Sequence, residues 1–455
     1  MEKKKFYKKL CKLVIPIAVQ NFMSALVSAS DALMLGWLDQ NSLSAVSLAT
    51  QVSFVLNLFL MAITIGLTIL AAQYWGKKDT DAVEHVLAIA LRGSVAVSAV
   101  FGAGAFLIPE LLMRIFTNDT ALILSGAQYL RIVAASYLFT GISQVYLCAM
   151  KNSGRVSRST IYGSVAIVSN LLLNAVFIFG LLGIPSMGIR GAAIATLIAR
   201  ILELFLVLAE NRKKTVVRIR ITYLWKADHK LQQDFKKYTL PVLANEIVWG
   251  CGFTMFSVIM GHLGTDAVAA NSIANIVKNL IACAAIGIGA GSGIMVGNEL
   301  GRGNMVSAKK YGDRLCHISI GAGVLSGLLL LLVSPAILDL SGVLSNQAKQ
   351  DLQLMLYICS VYMTGKSINS TVIAGIFCAG GDTKFGFWCG LITMWVIIVP
   401  AGAIAAFVLR WPVMAVYVIL NLDELIKLPA VYRHYKKNKW VRNLTESTDT
   451  VSAEN

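Results

Sequence analysis

Nothing constrains this chain more than its recurring apolar stretches, each long enough to cross a lipid bilayer. A spanning helix needs roughly 20 predominantly apolar residues. About twelve such runs lie between polar breaks, near residues 13–38, 45–72, 87–113, 125–150, 158–183, 187–210, 238–262, 268–297, 313–340, 350–378, 386–408 and 411–432. In hydrocarbon every backbone N–H and C=O must be paired within the structure, and runs of this length do that as helices. Composition agrees: 56% of the 455 residues are hydrophobic and 14% charged, where a soluble domain is about half apolar and a quarter charged. The expected fold class is an all-α polytopic membrane protein with twelve transmembrane helices.

A net charge of +16 would suggest nucleic acid in a soluble protein, but its placement argues otherwise. With the N-terminus set in the cytoplasm, 30 of the 40 Lys and Arg fall in ends and loops that lie inside. Only Arg114, Arg190, Lys349 and Arg410 fall in outer loops, and six sit within the spans. This is the positive-inside rule, and it places both termini in the cytoplasm of a cell-membrane protein. The charges orient the helices and touch anionic lipid; no nucleic-acid partner is expected. The opening MEKKKFYKKL and its apolar run have the look of a signal peptide, but the run is too long and has a repeat partner further on.

Eight cysteines lie mostly inside apolar runs without CxxC or cysteine–histidine clusters, so neither disulfides nor zinc are expected. No GxxxxGK[ST], HExxH or GxSxG is present, so neither ATP-driven transport nor enzymatic catalysis is expected, and no cofactor beyond a coupling ion. The glycine-rich IGIGAGSGIMVG at 286–297 lies inside a span and reads as close helix packing.

The chain is written twice. At a constant offset of 225, Pro16 meets Pro241, Gly36 meets Gly261, Ala45 meets Ala270 and Ser47 meets Ser272. Ala49 meets Ala274, Gly66 meets Gly291 and Gly76 meets Gly301, with no gap. Further on, NSGR at 152–155 meets AGGD at 379–382 with the offset drifted to 227. Each copy holds six spans, so the two share one orientation, related by an axis along the membrane normal. The expected division is an N-lobe over 1–210, a basic cytoplasmic linker over 211–237, a C-lobe over 238–434 and a cytoplasmic tail over 435–455, partly disordered beyond Asn443. A substrate cavity is expected between the lobes, with alternating access by rocking.

These residues resemble the multidrug and toxic compound extrusion (MATE) family. The resemblance covers nearly the whole chain: the doubled six-helix plan, PxxxQN in the first span, LPVLANEIVWG in the seventh, GIRGAAIATLIAR at 188–200, AGGDTKF at 379–385 and DELIKLPAVYRHYKKNKWVRNL at 423–444. It implies export of organic, often cationic, compounds in exchange for sodium ions or protons.

Charged residues within spans are costly and usually functional. Asp31 lies about seven residues, roughly 10 Å, from the outer end of the first span; the resemblance makes it the cation-coupling carboxylate. Asn170 and Asn174, four apart, share one helix face, and Thr196 lies in the sixth span. The resemblance gathers these four in one N-lobe pocket, whose oxygens suit a Na+ ion. Some branches carry a second acid where this chain has Asn174, which favours sodium or a single protonation of Asp31.

Glu246 is the second strong acid, mid-way along the seventh span, with Asn21 as its repeat partner. The resemblance gives it a role in cation or substrate binding. Asn245 extends the polar face and Trp249 offers an aromatic wall for an organic cation. Lys278 and Lys366, in the eighth and tenth spans, need counter-ions, and Glu246 is an available partner for either, as a substrate or gating element. Arg200 with Glu203, and Glu424 with Lys427, read as local ion pairs, Asp423 as a cap or partner, and Gly380–Gly381–Asp382 as a tight turn. Arg131 reads either as a substrate or gating charge or as a snorkelling one. The leading function is antiport of organic, chiefly cationic, compounds, by a monomer working in the bilayer. The alternative is a lipid-linked saccharide flippase of the same superfamily, which would need a strongly basic cavity.

Overall fold

A computed structural model describes residues 2–212, 217–225, 228–341 and 344–446. It is helical almost throughout, with no strand among the described residues. The first half contributes α1 (Glu2–Leu38), α2 (Gln40–Lys77), α3 (Thr80–Leu107), α4 (Thr120–Asn152), α5 (Val156–Phe179) and α6 (Gly188–Asn211). The second contributes α7 (His229–Gly261), α8 (Thr265–Gly301), α9 (Met305–Leu340) and α10 (Asn346–Asn369, widening into a π-helical Ser370–Phe377). It ends with α11 (Thr383–Val408) and α12 (Val413–Asn421, then Asp423–Lys436). Short helices Pro109–Arg114 and Ile221–Trp225 lie between.

Ten of these twelve are long and apolar enough, each taken singly, to cross a membrane. The other two are α10, which opens with the polar NQAKQDLQ, and α12, which breaks at Leu422. The protein is nonetheless a polytopic bundle of twelve transmembrane helices in two homologous sets of six.

The chain forms two compact units. The N unit comprises Met23–Ala71 and Asp79–Lys237; the C unit comprises Met1–Phe22, Ala72–Lys78 and Tyr238–Asn455. The N unit's core joins Leu60, Leu130, Met113, Ile178 and Ala193. The C unit's joins Ile259, Leu330, Leu352, Met355, Leu356 and Val416. Large apolar side chains such as Leu325, Leu332, Phe205 and Val396 point outward and stay exposed. Lipid tails are as apolar as leucine, so the cores gain from close van der Waals fit rather than from escaping water.

The sequence repeat reappears in backbone chemistry. Asp79 caps α3 by accepting the Ala82 N–H, and Asn304, 225 residues on, caps α9 by accepting that of Ser307. Gly154 after α4 and Gly381 after α10 hold the same left-handed conformation, φ +78° and +74°. That conformation carries a steric cost for residues with a Cβ. Asp39 caps α2 through the Ser42 amide, and the Ser42 hydroxyl and amide together hold its carboxyl below the usual range. This cap is therefore ionised at neutral pH and favours the positive end of the helix dipole.

The glycine-rich stretch of α8 serves close packing, as expected. A Cβ on Gly289 would lie 2.7 Å from the Ser370 carbonyl oxygen, and one on Gly375 2.6 Å from that of Gly289. At the end of α8 the contact is reciprocal: a Cβ on Gly301 would meet the Gln73 carbonyl oxygen at 1.9 Å, and one on Gly76 the Asn298 oxygen at 2.2 Å. Gln73 and Asn298 are themselves repeat partners, so the C unit contains one contact made twice by a two-fold relation.

Residues up to Glu446 pack on the C unit: Trp440 is fully buried, and Leu444 donates its N–H to Gln73 Oε1 at 2.7 Å. Gln73 Nε2 in turn donates to the Ala379 carbonyl at 2.6 Å. The reason is that Gly380 and Gly381 leave room for the Trp440 backbone and the Leu444 side chain. The remainder, 447–455, lies outside the described residues, as do 213–216 and 226–227 of the linker. The described linker is tied to α3: Tyr223 donates to Asp81 at 2.6 Å and the Arg218 N–H to Glu84 at 3.0 Å.

Gly301→Val should lower the thermal unfolding midpoint of the detergent-purified protein by an amount equivalent to about 3 kcal/mol, or prevent folding, as overpacking does. Gly321→Ala, whose Cβ meets nothing within 4 Å, should be neutral or stabilising. Equal tolerance of both would contradict the close approach.

Candidate functional site

In the N unit the four expected polar residues meet. Asp31 stands half-buried on α1; Asn174 on α5 donates Nδ2 to its Oδ1 at 2.7 Å. The same amide approaches Asn170 Oδ1 at 3.4 Å, one helical turn away. Asn170 Nδ2 donates to Thr196 Oγ1 on α6 at 3.3 Å, and Thr196 donates to the Ala192 carbonyl at 3.0 Å. A chain of hydrogen bonds thus runs from α1 through α5 to α6.

Two features give it chemical direction. Asn174 points its donor at the carboxylate and leaves Oδ1 buried with no hydrogen-bond partner. An unanswered buried acceptor normally costs about 1–3 kcal/mol, so this oxygen suits an incoming cation. The second is Tyr129 on α4, 7% exposed, whose hydroxyl neighbours Thr196 and lies within electrostatic reach of Asp31. Sequence reasoning missed Tyr129, because a tyrosine in an apolar run carries no mark of its neighbours. The donors on hand are a carboxylate, two amide oxygens and a hydroxyl, a hard oxygen set that fits Na+ or a proton on Asp31. Among the described residues, no group of three or more His, Cys, Asp and Glu gathers as a transition metal would need.

The C unit is arranged differently. Asn245, Glu246 and Trp249 follow one another on α7. Close packing fixes α7 against α11: Trp395 Nε1 donates to the Val248 carbonyl at 3.2 Å, and a Cβ on Gly252 would strike Met394 Sδ at 1.8 Å. Trp249 stacks on Phe253 with ring centroids 5.7 Å apart, and the Lys366 ammonium lies 5.7 Å from the Trp249 ring. Asn21 is half-buried on α1 and forms no hydrogen bond with these residues.

Of the two lysines for which Glu246 was an available partner, Lys366 has another. Lys366 pairs with Glu424 at 3.2 Å, and Lys427 approaches Asp423 at 3.5 Å and Glu424 at 3.9 Å. Asn369 Nδ2 donates to both the Glu424 carbonyl and Oε2, at 2.7 Å each. Asp423, Glu424 and Lys427 are 3%, 4% and 8% exposed. The break in α12 at Leu422 turns these charges against α10, so what reads as a local pair at a helix end is a buried network. Lys278 on α8 donates to Asn421 Oδ1 at 3.4 Å and sits 4.8 Å from the Tyr362 ring.

Arg131 pairs with Glu110 at 2.7 Å, both well exposed, so it is neither solitary nor turned inward. Arg200 and Glu203 form the expected local pair at 2.8 Å. Glu210, fully buried, gathers Arg155, Arg158 and Tyr162.

Buried and exposed pairs should behave differently. Glu424→Gln leaves two lysines short of their partner and should cost about 3–5 kcal/mol in thermal unfolding. Glu110→Gln breaks an exposed pair and should cost under about 1 kcal/mol. Equal shifts would contradict the burial of the network.

Comparison with known proteins agrees with this architecture. The family model described as MatE matches residues 16–176 and 241–404, one block in each repeat. The uncharacterized transporter YisQ of Bacillus subtilis is 20% identical over 95% of both chains. The probable multidrug resistance protein YoeA of the same organism is 23% identical over 97% of this chain and 96% of its own. Among solved structures, a MOP superfamily transporter from Pyrococcus furiosus superposes with a TM-score of 0.87 at 16% identity, over 95% of each chain. The family match over both repeats, on this doubled six-helix bundle, makes the chain a member of the MATE family of membrane transporters.

Proposed function

We propose that the protein is a secondary active antiporter that exports organic, chiefly cationic and amphipathic, compounds across the cell membrane in exchange for Na+ or H+. The observation that carries this reading is the Asp31 group: a half-buried carboxylate whose single amide donor leaves an unpartnered oxygen beside it. An arriving cation neutralises the desolvated negative charge of Asp31, drawing on the oxygens of Asn174, Asn170 and Thr196. For transport, ion and substrate must favour different states of the bundle, each loosening the other's hold. Glu246, Asn245, Asn21 and Trp249 with Lys278 and Lys366 supply the polar and aromatic groups for substrate or gating. The protein works as a monomer with both termini in the cytoplasm, without nucleic acid, catalysis or any cofactor beyond the coupling ion.

The gathering of Lys278, Lys366 and Lys427 favours, as a second reading, a lipid-linked saccharide flippase. The carboxylates beside two of these lysines weigh against it.

Purified protein in liposomes loaded with a fluorescent organic cation, given a sodium or a proton gradient separately, tests the first reading. Efflux should follow one gradient and fall at least about tenfold in Asp31→Asn. Efflux indifferent to Asp31→Asn would contradict coupling at Asp31 and move it to Glu246.

A further inference from the structure

The basic ends of α1 and α9 flank an open cavity that the transport readings leave unused. It measures about 450 Å³ and is lined by Tyr7, Arg314, His317 and Ile318, all within the C unit. Segments 2–12 and 305–317 together carry nine Lys and Arg against two acids, Glu2 and Asp313. Asp313 is turned to α12, where it accepts the Tyr435 hydroxyl at 2.8 Å. Glu299, near the end of α8, meets Lys9 at 3.6 Å and Arg302 at 2.9 Å. Among the described residues no carboxylate forms an ion pair with Arg314. The surplus around the cavity is therefore positive.

Its donors are held in place by their neighbours. Phe6 is 1% exposed, packs edge-on to Tyr311 at 4.9 Å, and has the Arg314 guanidinium 5.4 Å from its ring centroid. His317 donates Nδ1 to the Asp313 carbonyl at 2.7 Å, which leaves Nε2 for a ligand. Tyr7 adds a hydroxyl. A guanidinium, an imidazole and a phenol around one opening suit a phosphate group, whose oxygens accept from all three. Position along the helices points to its source. No charged residue lies between Lys12 and Asp31 on α1, or between His317 and Asp339 on α9, so the cavity sits where both helices enter hydrocarbon. Leu325, Leu328 and Leu332 continue the face of Arg314 and His317 at helical spacing, and are 67%, 57% and 78% exposed. Acyl chains can lie along that face while the headgroup fills the cavity; a free phosphate would leave it uncovered.

We infer that this cavity binds one anionic phospholipid, its phosphate held by Arg314, His317 and Tyr7. Basic pockets between spanning helices at the membrane surface take anionic headgroups in this way. The lipid bridges α1 and α9, joining the first helix of the chain to the second repeat. The inference stands on the cavity and its charge, independently of what the protein transports.

Native mass spectrometry of the detergent-purified protein tests it, by titration with phosphatidylglycerol or phosphatidylcholine; thermal unfolding reads the folding of each variant. One phosphatidylglycerol should bind about tenfold more tightly than phosphatidylcholine, whose trimethylammonium the surrounding positive charge repels. Arg314→Gln should remove most of this preference. Tyr7→Phe, which deletes a hydroxyl and no charge, should weaken phosphatidylglycerol binding about threefold, and decides the matter if Arg314→Gln does not fold. Arg212→Gln takes the same charge from the exposed start of the linker, and should change nothing. Equal binding of the two lipids overturns the inference, as does a preference that survives Arg314→Gln or falls equally in Arg212→Gln. Displacement of the bound lipid by an equal concentration of glycerol phosphate would overturn the lipid as occupant and leave a site for free phosphate.

Discussion

A charge held within hydrocarbon must be answered by something, and Asp31 and Glu424 are answered in opposite ways. In the N unit one carboxylate, Asp31, meets only neutral groups: an amide donor at 2.7 Å, then a second amide, a hydroxyl and a tyrosine. In the C unit Glu424 and Asp423 meet lysines directly. Coulomb attraction at these distances is several times stronger at low effective dielectric than in water. A carboxylate already matched by lysine is a structural tie; one matched by amides still has room for a cation. On the proposed reading, that difference separates a fixed network from a site that loads and unloads an ion.

The scaffold beneath is symmetric while the chemistry on it is not. Caps at Asp79 and Asn304, left-handed glycines at 154 and 381, and the paired contacts of Gly76 and Gly301 repeat faithfully. The charges do not: at the offset of 225, Asp31 falls on Phe256, Glu246 on Asn21 and Lys278 on Ser53. Helix packing tolerates few changes at a backbone-to-backbone approach. Polar side chains away from such approaches are free to diverge, so the repeat keeps the frame while the charges differ.

Much of this was legible in the sequence, for physical reasons. Spans announce themselves through length and apolarity, and the repeat through glycine and proline, whose backbone demands survive when side chains drift. Asp31, Asn170, Asn174 and Thr196 could be proposed together because a carboxylate in a span is conspicuous and i, i+4 asparagines share a face. The C unit was harder. Lys366 could be seen to need a partner, but Glu424 read as the local partner of Lys427, which left Glu246 as the candidate. Only the break in α12 at Leu422, which no proline or glycine marks, turns Glu424 toward α10. Tyr129 and the burial of Trp440 were likewise hidden, since each depends on contacts between residues far apart in the chain.

The central claim is that the coupling ion and the substrate oppose each other through Asp31. The most direct measurement is the dissociation constant of a fluorescent substrate for the purified protein at graded sodium concentration and pH, in the wild type and in Asp31→Asn. The account predicts that one of the two ions weakens substrate binding in the wild type, and that the antagonism disappears in Asp31→Asn. Substrate affinity independent of both ions, or antagonism that survives the substitution, would contradict it.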